Sequence, residues 1–342
     1  MKIDNNNPVN SIFFGSSRLS VIVLDELEKS GLMPTVIVTT PDKPKGRSLE
    51  ITPNVVKEWA INKKIPVLDP AKLDSAFIEK LGQVCDSCTD TNINTEHSKK
   101  CDLFIVASYG RIIPKAIIEM PAHKTLNIHP SLLPRYRGPS PLPTAMLDDA
   151  KRTGVTIIRL DEEMDHGPIV AQEEVILNDH FDEWPIYEDF EEMMARRGAR
   201  LLAKILPDWV KTDPKDLAKK ETTQNHSKAT YTKKITKEDG LLDIADLSQL
   251  NHRVFDGKSA TEKAYSAFRK VQAFHEWPQA YFFIEKKAES SVATGKKIRV
   301  KITQASFKKN VTSGQGQLII EKVIPEGKKE MAYEDFARGY FS

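Results

Sequence analysis

Over its first 160 residues the chain alternates short apolar runs with stretches of helical spacing, and that alternation leaves few folds open. Residues 12–14, 35–39, 65–68, 103–107 and 126–128 are short and predominantly apolar, as suits strands buried on both faces of a mostly parallel sheet. Between them, 19–30 and 54–64 carry apolar residues at helical spacing, Val56, Trp59 and Ala60 among them. Strand and helix in alternation predict a doubly wound α/β domain. A further strand is expected over 154–160. A long helix is expected from Pro185, because proline suits the first helical position. Its apolar face reads as Ile186, Phe190, Met193, Leu201 and Ile205, with Gly198 weakening the middle.

Sheets of this kind place their chemistry outside the carboxyl ends of the strands. Residues two apart on a strand share a face, so Asn127 and His129 project together where the 126–128 strand ends. Asp165 follows the next apolar strand in Met164-Asp165-His166-Gly167-Pro168. A single Asn or His beside a strand is more often structural, but polar clusters at two strand ends favour a site. The three residue types suit acyl transfer. An amide donates to a developing oxyanion, an imidazole titrates near neutrality and moves a proton, and a carboxylate orients it. Ser131 invites a nucleophile reading, yet Ser131-Leu132-Leu133-Pro134 lacks the GxSxG elbow, and its expected role is to turn the chain.

Around Pro207 the character changes. Asp213-Pro214-Lys215 and the polar run 219–228 read as a linker. Beyond it 280–284, 298–302 and 317–320 are β-like, with a helix over 259–272, which suggests a small β-barrel. The expected organisation is a catalytic domain over 1–206, a linker over 207–227 and a second domain over 228–342. Charge divides the same way: residues 1–210 hold 25 Lys and Arg against 31 Asp and Glu, and residues 211–342 hold 25 against 17. A basic half beside an acidic one points to a module that meets a polyanion while the other does chemistry.

No apolar run of about 18 residues appears, so no membrane span is expected. The amino terminus lacks the apolar core of a secretory signal, and three cysteines argue against a disulfide framework; a cytoplasmic enzyme fits. Cys85-x-x-Cys88 with His97 and Cys101 has a spacing compatible with tetrahedral zinc; the competing reading packs Cys101 as a small buried thiol at the head of a strand. No Walker or GxGxxG signature is present, and Gly15-Ser16-Ser17 is too sparse for a dinucleotide site.

Asn127-x-His129-x-Ser131-Leu132-Leu133-Pro134 with Gly138, then Thr153-Gly154-Val155-Thr156 and Asp165-x-Gly167, resembles the signature of formyltransferases that use 10-formyltetrahydrofolate. Phe14-Gly15, Thr40-Pro41-Asp42-Lys43-Pro44-x-Gly46-Arg47, Ala107-x-Tyr109-Gly110-x-Ile112-x-Pro114-Lys115, Tyr231-x-x-Lys234-Ile235 and Trp277-Pro278 are similar to the branch acting on methionyl-tRNA. The resemblance covers nearly the whole chain. It departs at 84–100, which looks like an insertion, at 252–272, which is longer than the pattern, and at Pro139, Pro141 and Pro143, which stiffen the loop after Gly138.

The resemblance implies a formyltransferase fold followed by an oligonucleotide-binding-type barrel, and formyl transfer to the α-amine of initiator methionyl-tRNA. Asn127, His129 and Asp165 are then the catalytic residues. Tyr109, Gly110, Ile112, Ser131, Leu132, Leu133 and Pro134 border the folate co-substrate, while Lys43, Lys45 and Arg47 meet tRNA. Arg135 and Arg137 are placed to meet tRNA or the folate glutamate tail. No metal is required, and a monomer is expected. Rival readings keep the same three residues: a formyltransferase acting on an amino-sugar nucleotide, or a formyl-folate hydrolase. A non-catalytic tRNA-binding protein on a decayed scaffold is the reading from another class.

Overall fold

The computed structural model describes residues 9–45, 50–87, 101–177, 185–243, 258–285, 297–309 and 316–341. The apolar runs form a seven-stranded sheet from β1 (Ser11–Phe14), β2 (Val36–Val38), β5 (Val67–Leu68), β6 (Leu103–Val106), β7 (Thr125–His129), β8 (Arg152–Arg159) and β9 (Ile169–Ile176). Their order is β5-β2-β1-β6-β7-β8-β9, parallel from β5 to β7 and antiparallel from β7 to β9. The chain leaves β1 toward β2 on one side and returns to β6 on the other. The strand order therefore reverses beside β1, and a crevice opens at the carboxyl ends of such a pair. There the Ser16 amide donates to the Ser108 carbonyl at 3.2 Å and the Ser16 hydroxyl to the Tyr109 carbonyl at 2.9 Å.

Both faces of the sheet are covered, as continuous apolar runs require. Ile12, Phe14, Val36, Val38, Phe104 and Val106 pack against Phe77, Leu81 and Cys85 of α3 (Ser75–Ser87) and Ile117 and Ile118 of α4 (Lys115–Ile118). The alternate residues Phe13, Ile37 and Ile105 are equally buried. Helix α1 (Arg18–Lys29) starts at a Ser17–Ser20 capping box and buries Leu19, Ile22, Val23, Leu24 and Leu27. Helix α2 (Val55–Asn62) is capped by Asn54, whose carbonyl oxygen accepts from the Val56 and Lys57 amides. Cys85 and Cys101 both lie in the apolar cluster, as the packing reading of Cys101 expects; Cys88 and His97 fall outside the described residues.

The segment expected as a tRNA-reading loop carries a hairpin, β3 (Lys43–Lys45) against β4 (Glu50–Thr52), with Lys43 opposite Thr52 and Lys45 opposite Glu50. Arg47 lies outside the described residues. Of the three prolines after Gly138 expected to stiffen a loop, Pro139 lies in the loop and the other two do not. Pro141 and Pro143 fall in the first turn of helix α5 (Pro141–Leu147), where missing N–H groups cost nothing.

The long helix expected from Pro185 is α6 (Tyr187–Lys211), and it corrects the sequence reading twice. Its buried face is Phe190, Met194, Ala195, Ala199, Leu201, Leu202, Leu206 and Trp209, which keeps the expected Phe190 and Leu201; Met193 and Ile205 sit at its margins. It also runs through Pro207 instead of ending there. An interior proline costs roughly 3 kcal/mol of helix, but Leu206 and Trp209 flank it in the core, and the Trp209 indole donates to the His123 carbonyl at 2.8 Å. Gly198 is the point of closest approach to the sheet: a Cβ there would lie 2.4 Å from Ile128 Cγ2.

The described chain divides into two compact units, each discontinuous in sequence. One comprises Met1–Pro141, Arg152–Ile176 and Glu191–Thr232; the other comprises Leu142–Lys151, Leu177–Phe190 and Lys233–Ser342. The second holds helix α7 (Lys258–Ala273), strands β10 (Ala280–Glu285), β11 (Lys297–Lys309), β12 (Gly316–Pro325) and β13 (Met331–Ala332), and helix α8 (Tyr333–Phe341). Its strands form an antiparallel sheet of order β10-β11-β12-β13. Phe282, Val300, Ile302, Leu318, Ile320 and Val323 from that sheet are buried, as are Phe268 and Val271 of α7.

Candidate active site

β7 lies between β6 and β8, with Asn127 opposite Val106 on one side and Ile158 on the other. Asn127 and His129 leave the strand on one face, as their spacing requires. Both are buried, at 8 % and 4 % exposure, and Asn127's amide makes no hydrogen bond among the described residues. A buried polar group without a protein partner is a group held for a ligand or for water.

His129 is held at both ring nitrogens. Nε2 lies 2.9 Å from the Tyr136 carbonyl oxygen. A carbonyl only accepts, so Nε2 carries a hydrogen. Nδ1 faces Asp165 Oδ1 at 3.4 Å, longer than the 2.7–2.9 Å of a tight charge-assisted bond. Asp165 is fixed in turn. Its Oδ2 accepts from the Gly138 amide at 2.7 Å, and its backbone stands at φ +50°. Left-handed backbone at a non-glycine residue persists only where the surroundings dictate it.

The loop after β7 supplies those surroundings. Ser131 is fully buried, and its hydroxyl donates to the Arg135 carbonyl at 2.7 Å, which turns the chain. Thr156, opposite His129 on β8, is the hub. Its hydroxyl donates to the Ser131 carbonyl at 2.6 Å and accepts from the Leu133 amide and the Gln172 side chain. Leu133 is buried, and a Cβ on Gly154 would strike Leu132, which packs down on β8. Pro134 is half-buried, and its carbonyl accepts from the Thr230 amide. Gly138 stands at φ +110°, and a Cβ there would meet Thr232 at 2.9 Å.

Of the residues expected to border the folate, the side chains of Ser131, Leu133 and Tyr109 are spent on packing. Tyr109 is 2 % exposed and edge-on to Phe14, and burial pushes its phenol up. Gly110 and Ile112, after β6, are the exposed ones; Ile112 is 79 % exposed, a large apolar surface one strand from Asn127. Arg135 is exposed and lies over the Tyr136 ring. Arg137 corrects its expectation: at 2 % exposure it reaches neither tRNA nor a glutamate tail. Lys43 and Lys45 occupy the hairpin strand β3.

Sequence reasoning took 219–228 for a linker and singled out only Tyr231 within the segment 221–232. Glu221 pairs with Arg159 at 2.6 Å, Thr222 bridges Ile169, Gln224 reaches the Asp165 loop, and Thr230 and Thr232 bond the Tyr136–Ser140 backbone. It is a strap over both loops of the site. A run of Thr, Gln, Asn, His and Ser with no apolar period carries no sequence signal of such packing.

Comparison with known proteins agrees with this geometry. Residues 9–197 match the model of the Formyl transferase family, and residues 259–340 that of the Formyl transferase, C-terminal domain. The chain is 36% identical over 272 residues to the methionyl-tRNA formyltransferase of Chloroflexus aggregans, covering 80% of this chain and 75% of that one. It is 30% identical over 338 residues to that of Syntrophomonas wolfei, covering 96% and 95%. Among solved structures, HypX from Aquifex aeolicus in complex with tetrahydrofolic acid superposes with TM-score 0.57 at 15% identity over 97% of this chain, which spans 47% of that longer one. The N-formyltransferase from Helicobacter canadensis, with folinic acid and dTDP-3-aminofucose, gives 0.52 at 15% identity over 91% of this chain and 98% of its own.

Proposed function

The chain belongs to the formyl transferase family, and on that premise we infer that it transfers the formyl group of 10-formyltetrahydrofolate to the α-amine of methionyl initiator tRNA, giving N-formylmethionyl-tRNA for translation initiation. The observation that carries the assignment of the site is the arrangement at the end of β7: an Asn127 amide without a protein partner beside a histidine held between a carbonyl and a carboxylate.

The co-substrate supplies a formyl carbon bonded to a nitrogen that leaves. An α-amine has a reference pKa near about 8, so a useful fraction is neutral at cellular pH and attack needs no strong base. As the amine bonds to the formyl carbon, negative charge gathers on the formyl oxygen, and the Asn127 amide N–H is the donor to it. The bond to the folate nitrogen then breaks, and one proton passes from the attacking to the leaving nitrogen. The His129–Asp165 pair relays that proton, since Nε2 is committed to Tyr136 and Nδ1 faces the carboxylate. Asp165 stabilises the imidazolium while it exists, and the Gly138 amide keeps the carboxylate turned toward it. None of these steps needs a metal.

Gly110 and Ile112 would flank the pterin, and the Ser131–Pro134 turn would offer backbone groups to it. Lys43 and Lys45 on the hairpin, together with Arg47, would neutralise tRNA phosphates, so affinity for tRNA falls as salt rises. The basic half from residue 211 onward extends that contact. Among the described residues no helix is long and apolar enough to cross a membrane. The enzyme is expected to act as a monomer in the cytoplasm.

The test is transfer of labelled formyl from 10-formyltetrahydrofolate to methionyl initiator tRNA, with Asn127→Ala beside the wild type. Transfer by the wild type, reduced about 10²–10³-fold in kcat by the substitution, supports substrate and role together. Formyl passed to an amino sugar or to water, but not to tRNA, would overturn the acceptor.

A further inference from the structure

We propose that Gln224, joined to the buried Arg137, is a positioning residue for formyl transfer that holds Asp165 against His129. The proposal rests on the function inferred above and adds a residue that acts through another.

Gln224 is 3 % exposed although it stands in a polar run. Its Nε2 donates to the Asp165 carbonyl at 2.8 Å and to the Gly167 carbonyl at 2.7 Å. Its Oε1 accepts from Arg137 Nε at 3.2 Å and Nη2 at 2.7 Å. The amide orientation follows from the partners, since carbonyls only accept and a guanidinium only donates. Gln224 therefore grips the residue that faces His129, in the turn where its backbone is left-handed.

Arg137 makes the grip costly to release. A buried guanidinium normally has a carboxylate beside it. Among the described residues the groups facing this one are all neutral: Gln224, the Tyr231 hydroxyl at 3.2 Å and His226 Nδ1 at 2.8 Å. Gln224 alone takes two of its five N–H groups, so losing that acceptor strands a buried charge.

The bonds close a ring. His129 Nε2 meets the Tyr136 carbonyl, and the next residue is Arg137, whose side chain meets Gln224. Gln224 meets the backbone of Asp165, whose carboxylate returns to His129 Nδ1. Gly138, beyond Arg137, closes the same ring from inside by donating to Asp165. Opening it at Gln224 frees the Asp165 turn and the Tyr136–Gly138 loop together, which changes the placement of His129 without touching either substrate.

A purely structural strap would look different, and the experiment separates the two. Gln224→Glu keeps the volume and gives Arg137 an acceptor, but it sets a carboxylate oxygen against the two carbonyls. Formyl transfer to methionyl-tRNA is measured for wild type, Gln224→Glu, Asp165→Asn, the double variant and the exposed strap control Ser227→Ala, with active sites counted by folate binding. We expect kcat per active site to fall about 10–100-fold in Gln224→Glu with KM for both substrates nearly unchanged. In the Asp165→Asn background the same change should cost no more than about 2-fold, since residues acting through one another are non-additive. Ser227→Ala should match wild type. A kcat within about 2-fold of wild type, or a loss that multiplies fully with Asp165→Asn, would overturn the proposal. Wild-type protein that transfers no formyl to tRNA would instead overturn the function on which it rests.

Discussion

Replacing Gly198 by alanine should make the enzyme less stable and slower, although the change favours helix. The added methyl would lie 2.4 Å from Ile128 Cγ2, against the roughly 3.5–4.0 Å at which carbon atoms rest. The side chain cannot rotate away freely, because Ile128 is branched at Cβ. Helix or strand must therefore give by about 1 Å. β7 is clamped by ladders to β6 and β8. α6 is tied to α1 by Arg196 and Arg200 on Glu26 and by Arg18 on Glu191. Overpacking of this kind costs about 1–3 kcal/mol, and the Gly-to-Ala gain in helix propensity offsets about 1 kcal/mol of it. The net expectation is a loss near 1 kcal/mol by urea unfolding, with kcat down about 10-fold because Ile128 sits between Asn127 and His129. Ile128→Ala alone should cost about 2–5 kcal/mol, and the double variant less than the sum, because the new methyl enters the space vacated. A Gly198→Ala protein that is more stable than wild type with unchanged kcat would refute the close-approach argument.

Two further outcomes are expected. Burial pushes the Glu26 carboxyl up, but hydrogen bonds from Arg200 and Arg196 outweigh it and hold the group below the usual carboxylate range. A folded-state value below the unfolded one gives stability that is present above the ordinary Glu range and lost as pH falls through the folded value. Wild type should thus exceed Glu26→Gln in urea midpoint at pH 7, and the gap should close toward pH 3; a gap that widens on acidification would contradict the ion-pair assignment. Thr156→Val keeps the side-chain shape but strands the Leu133 amide and the Ser131 carbonyl, which should cost about 1–3 kcal/mol. Unfolding of that variant at the wild-type midpoint would show that Thr156 is no hub.

What the sequence made legible, and what it hid, follows from how each residue is held. Strands buried on both faces must be apolar with little interruption, so 12–14 and 103–107 announced the sheet. Asn127 and His129 were visible because strand period two puts them on one face. Arg137 was misleading, because a guanidinium near a site looks available until its partners are seen. The turn of α6 that faces inward could not be fixed by spacing alone: small residues such as Ala195, Gly198 and Ala199 leave the pattern open to Met193 or Met194. Pro207 looked like a boundary because local cost is all a sequence displays, whereas Leu206 and Trp209 supply the packing that overrides it. Gln224 was invisible, since its bonds run to residues 59 and 87 positions away.

The strap has a consequence for biogenesis. During synthesis the seven strands of the first sheet and the three side chains proposed as catalytic leave the ribosome before residues 221–232, which reach back across 94 positions to join Arg137 with Tyr231. Sheet formation and site completion are thus separated in time. A nascent chain ending at residue 206 would hold Asn127, His129 and Asp165 and still lack the brace proposed to align them. Competence for formyl transfer then arrives late, with a segment that contributes no reacting atom.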